Sequence, residues 1–179
     1  MTLESAEEDA MSAAPDAQRT CGSCTFCCKV FAIGELQKPV GAWCPHCAVG
    51  SGCQIYESRP RECQTFECRW LAVPQMPDAF RPDRVKTILV HEGDNFSLDA
   101  RCDTANPMAW RKEPIHGFLK RYAEAGWLAG RRVTVRAGER LWLITPQEDV
   151  DLGDVPHGSR LAIGKGPDGR IKVTVSPPF

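Results

Sequence analysis

Apolar and polar positions alternate differently in the two halves of the chain. From residue 85 onward the pattern is regular. Alternation predicts strands over residues 85–91 and 95–100, with Glu92-Gly93-Asp94 as the loop of a hairpin between them. Ile115, Phe118, Leu119 and Tyr122 fall at helical spacing and predict an amphipathic helix over 115–127. Pro114 suits its first turn and Gly126 its end. A second hairpin is expected from 132–137 and 141–145 across Gly138. A third is expected from 160–164 and 170–175 around Gly166-Pro167-Asp168-Gly169. About six short strands and one helix make this half α+β and rich in β-hairpins.

Upstream of residue 85 no period holds. Residues 1–20 carry Glu4, Glu7, Glu8, Asp9 and Asp16 against Arg19, which reads as a solvated, disordered tail. Residues 21–73 form a cysteine-rich unit in which metal ligation is expected to override local propensity. A short helix is expected after Cys27, and another near 59–67, entered through Pro60. Pro74, Pro77 and Pro82 mark residues 74–84 as a linker or wrapped loop. The expected organisation is therefore a tail, a small metal-stabilised unit, a linker, and an α+β unit over 85–179.

Charge and composition narrow the partners. The net charge is −1 with a pI near 6.4, which argues against a nucleic-acid binder. The first residues lack a basic start followed by an apolar run, and no apolar stretch is long enough to span a bilayer. The expectation is a cytoplasmic protein, away from membranes, with a protein partner as one open role.

Cysteine usage changes the picture most. Of ten cysteines, nine lie between positions 21 and 68: Cys21, Cys24, Cys27, Cys28, Cys44, Cys47, Cys53, Cys63 and Cys68. Cys102 stands apart and is expected to be a small buried residue. Clustered thiols in a reducing compartment read as metal ligands. An odd number of them, two being adjacent, weighs against a disulfide framework.

Their spacing points to two metals. Cys24-x-x-Cys27 and Cys44-x-x-Cys47, with sixteen residues between, fit a four-thiolate zinc site. A tight turn aims both sulfurs of a pair at one centre, and two turns complete a tetrahedron with Zn–S near about 2.3 Å. Cys21-x-x-Cys24-x-x-Cys27 also matches the first three ligands of a ferredoxin-type iron–sulfur run. Phe31 stands where that run has its fourth cysteine, so another thiol would have to serve. Eight thiols could supply two sites: Cys24, Cys27, Cys44 and Cys47, then Cys53, Cys63 and Cys68 with Cys21 or Cys28. Other partitions and a sulfur-bridged polynuclear centre remain open. The cofactor expected is zinc, one or two ions, or iron as an iron–sulfur cluster. His46 could replace a thiolate but reads better as a turn residue. A four-thiolate zinc site has a net charge of −2 and wants donors nearby, for which Arg59, Arg61 and Arg69 are the candidates.

Cys21-Gly-Ser-Cys24-Thr-Phe-Cys27-Cys28 resembles the C-x-x-C-x-x-C-C signature of the YkgJ-type cysteine-cluster family. Cys53-Gln-Ile-Tyr56-Glu-Ser-Arg59-Pro60-Arg-Glu-Cys63 is similar to that family's C-x-I-Y-x-x-R-P-x-x-C segment. The resemblance covers about residues 21–70. It implies a zinc- or iron-chelating domain, in a family often labelled as iron–sulfur oxidoreductases, with Cys21, Cys24, Cys27, Cys28, Cys53 and Cys63 as ligands. Cys44, Cys47 and Cys68 rest on spacing.

No catalytic constellation is found. Gly164-Lys165-Gly166 sits in a hairpin, not between strand and helix, and is no phosphate loop. His91, His116 and His157 have no ligand partners at suitable spacing. The leading expectation is a non-catalytic metal-binding protein with a structural, metal-handling or partner-binding role. An iron–sulfur redox protein is the alternative, and it is the class to which an enzyme would belong here.

Overall fold

The computed structural model describes residues 19–92, 97–167 and 171–178. The expected tail up to residue 18 lies outside the described residues, as do the tips of the first and third hairpins at 93–96 and 168–170.

The C-terminal half is built on a five-stranded sheet. Its strands are β3 (Thr87–Glu92), β4 (Ser97–Cys102), β5 (Val133–Ala137), β6 (Arg140–Ile144) and β7 (Asp149–Asp154), in that spatial order. All neighbours run antiparallel except β4 and β5, which are parallel in the register Leu98↔Val133 to Arg101↔Arg136. A parallel pair needs a long crossover, and helix α5 (Ile115–Gly126) supplies it. Leu98, Ala100 and Cys102 of β4, with Val133, Val135 and Ala137 of β5, form one buried face. Ile115, Leu119 and Ala123 of α5 pack on that face, with Trp110 and Trp142 alongside and ring centroids 5.6 Å apart. The helical spacing of the apolar residues and the strand alternation meet in this core, so the α+β expectation holds. The third expected hairpin forms as β8 (Arg160–Lys165) paired with β9 (Ile171–Ser176), a separate two-stranded ribbon.

Strand β7 was not expected. Asp149, Asp151 and Asp154 are poor strand formers, and pairing with β6 decides the matter. At the edge of a sheet such charges also deter pairing with other chains. The first strand begins at Thr87 instead of Val85, because Pro82–Val85 form one turn of helix, α4.

The cysteine-rich unit contains little regular structure: α1 (Cys27–Val30), α2 (Arg61–Thr65), α3 (Arg69–Ala72), and a two-residue ladder of β1 (Cys47–Ala48) with β2 (Gly52–Cys53). Pro60 stands just ahead of α2, where its fixed φ suits helix entry. The unit is fastened to the sheet in three ways. Phe26 and Val30 pack with Ile88 of β3, a second buried cluster on the other side of that strand from Leu89. Cys68 packs against both clusters. Lys29 Nζ donates to Asp103 Oδ2 at 2.5 Å, joining α1 to the residue that follows β4. Residues 74–84 wrap over the core, with Met76 buried and Phe80 packed against it.

Burial on its own would raise the Asp103 carboxyl, but hydrogen bonds from Lys29 and the Ala105 N–H, with the lysine's charge, outweigh it and hold the group below the usual carboxylate range. A depressed folded pKa gives stability above the unfolded value of about 3.9 that is lost as pH falls through the folded value. Asp103→Asn should therefore lower the denaturant midpoint near neutral pH, and its deficit relative to the parent should shrink on acidification. Equal midpoints near neutral pH would show that this pair does not fasten the two parts. For the core, Leu119→Ala should cost about 2–5 kcal/mol in chemical denaturation, since Leu119 is fully buried. A loss below about 1 kcal/mol would contradict the packing described.

Candidate metal centre

Two tight turns present thiols. In Cys21-Gly-Ser-Cys24 the Cys24 N–H donates to Cys21 O at 2.8 Å, and Gly22 takes a φ of +50° that favours glycine. The Cys44-to-Cys47 turn closes the same way, Cys47 N–H to Cys44 O at 3.1 Å. The second turn is tied to α1 through Cys44 N–H, which donates to Cys28 O at 3.0 Å. The β1–β2 ladder sets Cys47 opposite Cys53. A Cβ at Gly52 would stand 3.4 Å from Gly22 O, so the two motif segments of the sequence lie against each other. Helix α2 then brings in Cys63, and α3 is preceded by Cys68. Two carboxylates hold α2 in place: Glu62 Oε2 accepts from Gly34 N–H and Glu35 Oε1 from Arg61 N–H, each at 2.8 Å.

The result is one cavity of about 640 Å³ bordered by eight cysteines: Cys21, Cys24, Cys27, Cys28, Cys44, Cys53, Cys63 and Cys68. Phe31, Ile33, Ile55, Phe66 and Trp70 supply apolar wall, and only Arg59 and Glu62 among the lining residues are charged. The ninth thiol, Cys47, is not among the lining residues and is in hydrogen-bond reach of Cys28 and Thr25. All ten cysteines are free thiols. Among the described residues, no three His, Cys, Asp or Glu side chains converge tightly enough to hold a single ion.

The electrostatics of this ring are unfavourable to bare thiolates. Burial raises Cys21, Cys63 and Cys68, and the charges of neighbouring cysteines raise each of them further. The hydrogen bond shared with Cys27, followed by burial, raises Cys28. Burial and then the charge of Cys28 push Cys47 up to about 11. Sulfurs so placed stay protonated unless a cation joins them. A thiolate-bound metal inverts that balance.

Of the three arginines expected nearby, the structure brings one to the cavity. Arg59 borders it, donates to Cys63 O and Tyr56 O, and lies 3.9 Å over the Tyr56 ring. Its charge offsets part of the rise that burial causes at Cys21. Arg61 is engaged through its backbone N–H, and Arg69 points to His91, Phe118 and Tyr122. His46 enters the hydrogen bonding through its carbonyl, which accepts from Gln54 N–H, and its ring does not line the cavity.

One residue beside these thiols has no signal in the sequence. Lys38 is buried, and its ammonium feels Cys44, Cys28 and Cys63. A lysine beside Pro39 in a polar loop gives no signal of that. Trp70 lines the cavity, is 7 % exposed, and has a buried indole N–H without a hydrogen-bond partner. A buried donor left unpaired is costly, and a sulfur in the cavity would accept from it. Cys102 is remote from the ring, as expected. It packs in the core beside Thr87, with burial pushing its thiol up to about 11.

Among the described residues no helix is long and apolar enough to cross a membrane. Compared with known proteins, the chain matches no family model, no curated protein and no solved structure.

Proposed function

We propose that this chain is a metal-binding protein whose cysteine thiolates hold an extended metal–thiolate centre. The observation that carries this reading is the single cavity bordered by eight thiols. A mononuclear four-thiolate site takes four sulfurs within about 2.3 Å of its ion. Eight cysteines at one cavity exceed that number and leave ligands for a second ion. The donor set fits zinc or iron and is too soft for magnesium or calcium. The motif resemblance to the YkgJ-type family points the same way, on residues 21–70.

The role we assign is non-catalytic: metal holds a small domain together and fixes the surface it offers to a partner. The cysteine unit has few core residues of its own, so metal would supply much of its folding free energy. An iron–sulfur centre for electron transfer is the second reading. The size of the cavity supports it, because bridging sulfide would fill space that thiolates leave.

Anaerobic purification followed by analysis for zinc, iron and acid-labile sulfide tests this directly. Protein with zinc and no colour supports the first reading, and brown protein with iron and sulfide supports the second. Protein that is folded and metal-free after anaerobic purification overturns both. Cys27→Ser and Cys44→Ser should each lose metal and solubility together, while Cys102→Ser should keep the parental metal content. Loss of metal in Cys102→Ser alone would show that the ligands have been misassigned.

A further inference from the structure

Lys38 lies in a polar loop yet is only 5 % exposed. The loop folds back on itself through a 3-10 turn, Gly34–Leu36, and a bridge between Ile33 and Lys38. Gln37 adopts a left-handed conformation at φ +49°, which turns the chain so that Lys38 enters the interior. Its Nζ then donates to three backbone carbonyls: Phe31 O, Pro39 O at 3.1 Å and Lys29 O at 3.3 Å. All three ammonium protons are therefore placed. Two of these carbonyls lie at the C-terminal end of α1, the helix that begins with Cys27 and Cys28.

No carboxylate among the described residues forms an ion pair with Lys38, although Lys29 nearby has Asp103. A buried ammonium without an anion is costly. The thiols stand on the elements that hold it: Lys29 O and Phe31 O end the helix that begins with Cys27 and Cys28, and Cys44 N–H donates to Cys28 O. Burial lowers the ammonium, and the charges of Cys44, Cys28, Cys63 and Cys27, all of which the proposed centre would use, oppose that. A multi-thiolate centre has the opposite problem, an excess of buried negative charge that needs a cation.

Resting on the metal-binding reading above, we infer that Lys38 is the built-in counter-cation of the thiolate centre, a positioning residue that lets Cys27, Cys28, Cys44 and Cys63 carry their charge together. It touches no metal. It acts through charge, from a place fixed by three carbonyls. The sequence motif has no part in this: Lys38 lies between the two motif segments, at a position that neither includes.

The test compares Lys38→Arg, Lys38→Gln and Lys38→Met in the full chain. Metal affinity is read by competition with a chromophoric chelator, using the metal found in the parent protein. Thermal midpoints of the metal-free forms serve as the structural control. Lys38→Gln keeps a donor for the carbonyls and removes the charge, so it should weaken metal binding about 10- to 100-fold, the range for losing an outer partner of a metal ligand. Lys38→Met should do at least as much. Lys38→Arg should stay close to the parent. Parental affinity in folded Lys38→Gln would overturn the inference and leave metal binding intact. Equal weakening in Lys38→Arg and Lys38→Gln, tracking the metal-free midpoints, would also overturn it, as loop anchoring would then explain the loss. Absence of metal from the parent would instead overturn the reading on which the inference rests.

Discussion

Eight sulfur atoms around one cavity cannot all be charged unless cations lie among them. That electrostatic constraint organises the N-terminal third of the molecule. Burial and the charges of neighbouring cysteines favour the protonated form at Cys21, Cys63 and Cys68, and metal ions bound here would reverse the preference. The local structure follows from presenting sulfur. Short turns, single-turn helices and a two-residue ladder supply little cohesion of their own, and they place cysteines on a common inner surface.

A unit of this kind needs support from elsewhere, and the sheet gives it. Ile88 belongs to β3 and seats Phe26 and Val30 on one side, while Leu89 beside it faces the main core. Strand alternation thus lets a single strand serve both the α5 core and the cysteine unit. Cys68 and the Lys29–Asp103 pair reinforce the join. The main core is made by ordinary means, with branched and aromatic side chains packed between helix and sheet. The C-terminal half can therefore be read as the platform on which the thiol ring is mounted.

How much of this was legible in the sequence depends on the kind of signal. The α5 helix, the three hairpins and the burial of Cys102 follow from periodicity and turn residues, which are local. The parallel pairing of β4 with β5 was not legible, because both strands read equally well as hairpin members and only the crossover through α5 decides. Strand β7 hid behind its aspartates. Around the cavity, motif and spacing mark out nine cysteines, but spacing alone does not show that eight of them border one cavity. That depends on how turns far apart in sequence meet, as Gly22 and Gly52 do. The arginines were chosen for nearness in sequence, and only Arg59 is near in space. Lys38 gains its role from burial, which composition does not reveal.

The central claim is that the thiols share one extended centre. X-ray absorption spectroscopy at the edge of the bound metal addresses it most directly. An extended metal–thiolate centre predicts a sulfur-only shell near about 2.3 Å together with scattering from a second metal atom. A lone metal with no metal neighbour, or a shell dominated by nitrogen and oxygen, would contradict it.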